Sequence, residues 1–159
     1  MSQKKIWCGL AISFFICFAA SGIGAFSTTS QIDGWYATLN RPSYAPPNWV
    51  FGPVWTILYA MMSVAAWLVW KQESSWKASV PLRIFAIQLV LNVLWSILFF
   101  GMQNPGAALM EIILLWVLIL ATIVLFYQRS KTAGYLLIPY FLWVSFACVL
   151  NYGFWSLNR

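Results

Sequence analysis

Side chains that can form hydrogen bonds are rare in the long apolar runs of this sequence, and they recur at helical spacing. Gln88, Asn92, Trp95 and Ser96 lie at positions i, i+4, i+7 and i+8, which share one face of a helix. Two further runs have the same spacing: Trp55, Tyr59, Met62 and Ser63, and Trp143, Ala147, Leu150 and Asn151. Polar groups inside a membrane usually face a bundle interior or a cavity. The pattern therefore predicts an aromatic pocket with a few hydrogen-bonding groups, suited to a flat and largely apolar ligand.

A structural interpretation of these residues stays open, because Asn and Gln often join transmembrane helices and a buried Trp often only packs. Glu111 could likewise be structural, or it could be a protonated hydrogen-bond donor, a partner of a loop cation such as Arg41, or a ligand contact. Trp55, Glu111 and Asn151 lie about 6 to 9 Å inside their helix ends, and Asn92 roughly 15 Å inside. We therefore expect the pocket in the outer half of the bundle.

The elements that position these residues follow from hydropathy. Hydrophobic residues make up 62% of the chain and charged residues 8%, whereas roughly a quarter of the residues of a soluble domain are charged. Five apolar runs are long enough to cross the membrane as helices: 6–26, 49–70, 82–102, 106–127 and 135–155. The predicted fold is all-α, a five-helix transmembrane bundle that forms a single integral membrane domain over residues 1–159.

One connector, residues 27–48, is long and rich in aromatic residues and proline. Pro42, Pro46 and Pro47 fix φ and remove backbone donors, so this segment is not expected to be a regular helix before about Pro47. The composition predicts a shaped lid over the pocket.

Basic residues concentrate on one side of the predicted bundle. That side carries Lys4, Lys5, Lys71, Lys77, Arg83, Arg129 and Lys131, and the other side carries Arg41 and Arg159. The positive-inside rule then places the N-terminus in the cytoplasm and the loop on the external or periplasmic face. The basic residues form no stripe, which argues against a nucleic-acid partner. The N-terminal run could also be a cleaved signal peptide, although its length favours retention as the first span.

Residues typical of metal and acid–base chemistry are few. The chain has no histidine, and Cys8, Cys17 and Cys148 form no C-x-x-C pair, so no metal site and no disulfide framework are indicated.

The tryptophans fall into two groups. An aromatic belt at span ends accounts for Trp7, Trp49, Trp70, Trp76 and Trp155. The indole N–H groups within spans need a partner or polar surroundings, and these belong to Trp55, Trp67, Trp95, Trp116 and Trp143.

Four segments are specific in order and spacing: WYATLNRPSYAPPNWVFGPVWTILY at 35–59, QLVLNVLWSILFF at 88–100, GAALMEIILLW at 106–116 and LIPYFLWVSFACVLNYGFW at 137–155. Through them the whole chain resembles the translocator protein family, also called tryptophan-rich sensory protein or peripheral benzodiazepine receptor. The resemblance implies a five-helix membrane bundle, commonly a homodimer in bacteria. It also implies a pocket under the first loop that binds porphyrins and, in some members, sterols and synthetic ligands.

The resemblance assigns ligand contacts to Trp35, Tyr36, Pro46, Pro47, Trp55, Asn92, Trp95, Trp143, Phe146, Ala147 and Leu150. Tyr59 joins this set because it shares a helix face with Trp55. One departure concerns the family's sterol-recognition stretch, where Leu150 and Tyr152 fit but Arg159 lies one residue too far along the chain. Sterol binding is therefore not expected.

The favoured function is a receptor or sensor-type membrane protein that binds porphyrins and similar planar hydrophobic molecules, with porphyrin as a ligand and no obligatory cofactor. Because the chain has no histidine, free-base porphyrin is expected to bind at least as well as haem. One alternative that the resemblance implies is a light-dependent porphyrin-degrading enzyme in which Trp55 and Trp143 take part, although no dedicated catalytic constellation is visible. Another is a tetrapyrrole or lipid transporter, for which the absence of internal repeats gives little support.

Overall fold

The computed structural model describes residues 3–73 and 79–159. Within them the α-helices are α1 (Gln3–Ile32), α2 (Trp35–Thr38), α3 (Phe51–Trp70), α4 (Val80–Ser96), α5 (Pro105–Arg129), α6 (Lys131–Leu136) and α7 (Ile138–Leu157). A 3-10 turn, Asn48–Val50, leads into α3, and a π-helical turn, Ile97–Gly101, continues α4. Five segments are long and apolar enough to cross a membrane: Gln3–Ile32, Asn48–Trp70, Val80–Gly101, Pro105–Arg129 and Lys131–Leu157. The predicted all-α fold with five spans is confirmed.

Helix α1 continues through Ile32, so the predicted connector begins too early. Thr28 and Thr29 donate their hydroxyl hydrogens to the carbonyl oxygens four residues earlier, at 3.0 and 2.9 Å. Polar side chains that bond to their own helix do not force the chain out of it. Residues 27–32 are therefore helical, and the connector proper, residues 33–47, contains the short helix α2. We refer to residues 33–47 as the lid.

The fifth span also begins earlier than predicted. Only Ser130 separates α5 from α6, and its side-chain oxygen caps α6 by accepting from the Ala133 N–H at 3.4 Å. A second short break falls at Leu137, just before Pro139 in the first turn of α7. The predicted connector over 128–134 is thus wrong except at Ser130, because 128–129 belong to α5 and 131–134 to α6.

The turn between α4 and α5 is as tight as its QNP sequence indicates. Gln103 has a positive φ of 53°, and the Asn104 side chain caps α5 by accepting from the Ala107 N–H at 3.0 Å. Pro105 then starts the helix, where the missing backbone N–H costs nothing.

The spans close into a ring. Helix α1 packs against α3 and α4, α5 packs against α4, α6 and α7, and α3 packs against α6. Fully buried apolar side chains such as Met62, Val69 and Phe126 fill the end away from the lid. Under the lid lies a second core, the aromatic cluster, which consists of Tyr36, Phe99, Phe100, Ala108, Leu150 and Phe154.

The end of the bundle away from the lid carries an ion pair and a cation–π contact. Arg129 pairs with Glu73 at 2.9 Å, and the Lys71 ammonium lies 3.9 Å from the centre of the Trp67 ring. Trp67 in turn donates to the Ile6 carbonyl at 3.0 Å. Trp76 and Lys77, to which the sequence assigned a belt position and a positive-inside charge, lie outside the described residues.

Gly134 marks the closest approach of α6 to α5. A Cβ placed there would lie 2.8 Å from Tyr127 Cβ and 3.0 Å from Tyr127 Cα, so backbone as well as side chain would have to move. We expect Gly134→Ala to lower the free energy of unfolding by about 1 to 3 kcal/mol through overpacking. Gly22→Ala is the matched control, because a Cβ at Gly22 meets nothing within 4 Å. Thermal unfolding in detergent should show a lower midpoint for the first variant alone; equal midpoints would contradict the packing described here.

Candidate ligand-binding cavity

A cavity of about 420 Å³ opens in the half of the bundle nearest the lid. Ligand pockets commonly measure about 300 to 1,000 Å³. Its walls come from α1, α2, the 3-10 turn, α3, α4, the π-helical turn and α7, and none of its described lining residues belongs to α5. Most of the wall is aromatic or small and apolar. The lining consists of Ser21, Gly24, Ala25, Thr28, Thr29, Ile32, Tyr36, Asn48, Trp49, Phe51, Gly52, Trp55, Thr56, Tyr59, Asn92, Trp95, Ser96, Phe99, Phe100, Trp143, Ala147, Leu150, Asn151 and Phe154.

Three indoles from three different spans form part of this wall: Trp55 on α3, Trp95 on α4 and Trp143 on α7. Each is held by a second ring. Trp55 lies 5.7 Å from Tyr59, Trp95 stacks on Phe99 at 5.3 Å, and Trp143 meets Phe51 edge-on at 6.0 Å, measured between ring centroids. Contacts of this kind fix the orientation of the ring faces that the cavity presents.

The indole N–H groups inside the spans divide into two sets. Trp95 donates to Asn151 Oδ1 at 2.9 Å, and Trp116 donates to Ser145 Oγ at 2.8 Å. In the described part of the chain, the N–H groups of Trp55 and Trp143 have no acceptor, and both side chains line the cavity. They are therefore free to donate to a guest molecule.

A hydrogen-bonded chain closes the inner end of the cavity. Tyr59 donates to Asn92 Oδ1, Asn92 Nδ2 donates to the Tyr140 hydroxyl, and Tyr140 donates to Gln88 Oε1, each at 2.8 Å. Tyr59, Asn92, Tyr140 and Gln88 are all at most 4% exposed. We refer to these four residues as the floor network. It joins α3, α4 and α7 in the membrane interior, where unpaired polar groups are costly.

The α1 wall differs from the other walls because it carries no aromatic ring. Ser21, Gly24 and Ala25 present little side chain, and the hydroxyl of Thr28 is bonded to its own helix backbone. A Cβ at Gly24 would lie 3.2 Å from Ser96 Oγ, so α1 and α4 approach closely at this point. The cavity therefore has a smooth side opposite its aromatic sides.

The lid is attached to the end of α7. The Asn40 N–H donates to Asn158 Oδ1 at 2.8 Å, and Asn158 Nδ2 donates back to the Asn40 carbonyl at 3.0 Å. Further along the lid, the Tyr44 hydroxyl donates to the Val149 carbonyl at 3.2 Å. Gly153 leaves space for the Tyr44 hydroxyl and the Pro42 ring against the helix. These contacts hold the lid against α7; that it covers a ligand stays a prediction.

Tyr36 inserts from the lid into the aromatic cluster. Its ring lies 5.1 Å from Phe154 and 5.5 Å from Phe100, and the Arg41 guanidinium lies 5.5 Å from its centre. Burial raises the pKa of the Tyr36 phenol, an effect that the nearby Arg41 charge partly opposes. Tyr36 therefore stays a neutral hydrogen-bonding group at physiological pH.

Eight of the predicted ligand contacts line the cavity: Tyr36, Trp55, Tyr59, Asn92, Trp95, Trp143, Ala147 and Leu150. The other four lie around it. Trp35 packs on Phe99 at 5.8 Å and Phe146 on Trp143 at 5.6 Å, so both support wall residues. Pro46 and Pro47 shape the lid, where the Pro46 carbonyl accepts from Arg41 at 2.9 Å. Contact between these residues and a ligand stays a prediction.

Sequence reasoning missed several wall residues. The π-helical turn places both Phe99 and Phe100 on the cavity, because it closes with a bond from the Met102 N–H to the Ile97 carbonyl, five residues back, at 2.7 Å. No pattern in the sequence predicted this π-helical turn. The α1 lining has no polar or aromatic stripe to identify it. Trp49, assigned to the membrane belt, is 74% exposed and also lines the cavity.

Glu111 does not pair with Arg41, the loop cation that was considered as its partner. Arg41 donates to Pro46 and lies over Tyr36, whereas both Glu111 oxygens are buried with no hydrogen-bond partner in the described residues. The pairing with Arg41 is therefore wrong. Glu111 is also absent from the described lining of the cavity.

Comparison with known proteins agrees with this architecture. The model of the TspO/MBR family matches residues 13–156. The chain belongs to this family. It is 44% identical to the tryptophan-rich protein TspO of Chlorobaculum tepidum over 94% of this chain and 95% of that protein. It is 41% identical to the human translocator protein (88% and 86% covered), and 40% identical to the tryptophan-rich sensory protein of Cereibacter sphaeroides (92% of each covered).

Family membership and the five apolar helices together make the chain a multi-pass integral membrane protein. The TspO/MBR match spans every wall of the cavity, from Ser21 on α1 to Phe154 on α7.

The attachment of the lid to α7 leads to a test on Asn158. We expect Asn158→Ala to remove the acceptor of the Asn40 N–H and the donor to the Asn40 carbonyl, and so to raise amide exchange across the lid about tenfold. Hydrogen–deuterium exchange of residues 33–47 in detergent measures this. Ser156→Ala is the control, because the Ser156 hydroxyl bonds only to the Gly153 carbonyl of its own helix. Equal exchange in the two variants would show that Asn158 does not hold the lid.

Proposed function

We propose that this TspO/MBR protein is a membrane receptor of sensor type that binds porphyrins and similar planar, hydrophobic molecules in the cavity under the lid. The observation that supports this most directly is the convergence of Trp55, Trp95 and Trp143 on one cavity. A planar aromatic guest can stack on ring faces from three spans, and stacking of this kind contributes beyond the apolar area that it buries. The C. sphaeroides relative carries the name tryptophan-rich sensory protein.

The polar groups of the cavity fit such a guest at its edges. The indole N–H groups of Trp55 and Trp143, which have no acceptor in the described part of the chain, are donors on a mostly apolar wall. The carboxylate or carbonyl substituents at the rim of a tetrapyrrole are acceptors for groups of this kind. The apolar faces of the ring would meet the Phe and Trp side chains.

We further propose that the lid lies on the external or periplasmic side and that the protein pairs as a homodimer. The orientation rests on the basic residues at the opposite end, among them Lys4, Lys5, Lys71 and Arg129. The homodimer rests on the family resemblance alone.

Binding is tested by titrating porphyrin into detergent-solubilised protein and following tryptophan fluorescence. We expect Trp55→Ala and Asn92→Ala each to raise Kd by about tenfold or more, because each removes a wall contact worth about 1.4 kcal/mol. Trp7→Phe is the matched control, since Trp7 is 64% exposed and is not part of the described lining. If both wall variants bind like the parent protein, porphyrin does not occupy this cavity.

A second candidate function is the light-dependent degradation of the bound porphyrin with dioxygen as oxidant. The observation that favours it is that Trp55 and Trp143 both line the cavity with unbonded indole N–H groups in the described part of the chain. Trp55 also lies 5.7 Å from the Tyr59 ring, close enough for an electron to pass between two oxidisable side chains.

Illumination of the porphyrin complex in air separates this enzyme from a simple receptor. We expect Trp143→Phe to slow the loss of porphyrin absorbance at least fivefold while porphyrin binding persists, because phenylalanine keeps an aromatic ring but is not readily oxidised. Trp116→Phe provides the control, since the Trp116 indole packs on Phe141 and donates to Ser145 outside the described lining of the cavity. An unchanged rate in Trp143→Phe would remove Trp143 from the reaction.

A further inference from the structure

Helices α1 and α3 are in close contact away from the lid. A Cβ at Gly9 on α1 would overlap the Trp70 ring on α3. Midway along the bundle, the Phe18 and Tyr59 rings of the two helices lie 6.4 Å apart between centroids. Nearer the lid this contact is lost, because a Cβ at Gly52 on α3 would meet nothing within 4 Å.

In this region the wall of the cavity meets the outer surface of the bundle. Ala25 on α1 and Thr56 on α3 are exposed, and both line the cavity. The residues that follow them are lipid-facing: Phe26 is 80% exposed and Ile57 is 60% exposed, and neither belongs to the described lining. The cavity therefore reaches the side of the bundle between α1 and α3. We refer to this gap as the side opening; its residues are Ala25, Thr29, Gly52 and Thr56, all exposed and all part of the lining.

The position and chemistry of the side opening suit lipid better than water. Counted back from Ile32 to Ala25 and on from Phe51 to Thr56, it lies about 8 to 10 Å inside the helix ends. The hydroxyls of Thr29 and Thr56 donate to carbonyl oxygens of their own helices, each at 2.9 Å. The four residues of the opening thus carry no charge and no unbonded hydroxyl hydrogen. Such a rim admits a hydrophobic molecule from the bilayer without stripping a polar group of its partner.

A path under the lid is closed by comparison. Asn40 and Asn158 exchange two hydrogen bonds, at 2.8 and 3.0 Å. The Tyr36 ring lies 5.1 Å from Phe154, inside the aromatic cluster. A ligand that passed under the lid would have to break these contacts, whereas passage through the side opening breaks no hydrogen bond.

We propose that planar hydrophobic ligands enter and leave the cavity through the side opening, from the half of the bilayer on the lid side, while the lid stays closed. This inference rests on the proposed function for its ligand class. It makes the bilayer the source from which the cavity is filled. The residues of the side opening then control the rates of binding and release, and the indole walls control affinity.

The test follows protoporphyrin IX binding to the protein in lipid nanodiscs by stopped-flow quenching of tryptophan fluorescence, with release measured into excess empty vesicles. Gly52→Leu places a bulky side chain in the opening, where a Cβ meets nothing. We expect both rate constants to fall about tenfold and Kd to change by no more than about twofold, because an obstacle in a passage raises the barrier for entry and exit alike. Ala25→Leu, on the other side of the opening, should act in the same direction.

Gly22→Leu is the matched control. Gly22 is also an exposed glycine whose Cβ would meet nothing, but it lies outside the described lining of the cavity. Its rates should match those of the parent protein, and so should those of Asn158→Ala, in which the lid is loosened. Parental rates in both Gly52→Leu and Ala25→Leu would overturn the proposal. So would a higher Kd with an unchanged association rate, which would make Gly52 a ligand contact, or faster binding and release in Asn158→Ala, which would place the path under the lid.

A second measurement needs no ligand and separates this inference from the proposed function. Cys8, Cys17 and Cys148 are replaced by Ser or Ala, and a nitroxide spin label is attached to Gly52→Cys in nanodiscs. An opening toward lipid lets dissolved oxygen collide with the label and keeps out a water-soluble nickel chelate. If protoporphyrin IX does not bind the parent protein, the proposed function fails, and this comparison alone decides whether the side opening exists. A label that neither reagent reaches, or one that the nickel chelate reaches, overturns the proposal in either case.

Discussion

The hydrogen bonds of the floor network impose the main constraint on this bundle. Water is absent from the interior of a membrane, so buried polar groups need partners within the protein; among the described residues Gln88 Nε2 and the two Glu111 oxygens lack one. Tyr59 on α3, Asn92 on α4 and Tyr140 on α7 meet this requirement together. As a result three spans are fixed at one depth. Below that depth the bundle is packed solidly with aliphatic and aromatic side chains, and above it the spans leave the space that becomes the cavity.

The lid, which forms the upper boundary of the cavity, is held in a different way from the floor network. The lid has few regular backbone hydrogen bonds of its own, and its prolines remove donors. It is held instead by side-chain contacts to α7, chiefly from Asn158 and Tyr44, and by the insertion of Tyr36 into the aromatic cluster. The lid and the α7 wall are therefore one connected unit. The α1 wall, with its small side chains, is less constrained from above.

Much of this architecture could be predicted from the sequence, for reasons that are physical. Hydropathy fixes five spans because an apolar run of about twenty residues satisfies its own backbone in lipid as a helix. The stripes of Trp55, Asn92 and Trp143 identify three cavity walls because intramembrane polar groups face inward. Helix ends were less predictable. Thr28 and Thr29 remain within α1 with their hydroxyls bonded to its backbone, and composition does not show that a helix continues through such residues.

The parts of the site that escaped prediction depend on tertiary context. The α1 wall has small side chains and no aromatic ring. Small apolar side chains occur both in cavity linings and in helix interfaces, so the sequence does not distinguish the two. The location of Glu111 away from the cavity depends on how α5 is rotated, since α5 faces its neighbours and contributes no described lining residue. Rotation of a helix that is apolar on all sides cannot be deduced from periodicity.

The π-helical turn at Ile97–Gly101 has an evolutionary consequence. Such a turn equals an α-helix with one inserted residue. Because the turn absorbs its extra residue locally, deleting one residue there would restore regular winding and leave the flanking helix in register, so that only the part of the wall that carries Phe99 and Phe100 would change while Trp95, earlier in the helix, stayed in place. A one-codon change could thus remodel this wall of the cavity and leave its indoles in place. Relatives of this protein could differ in the volume of the cavity by gaining or losing that one residue.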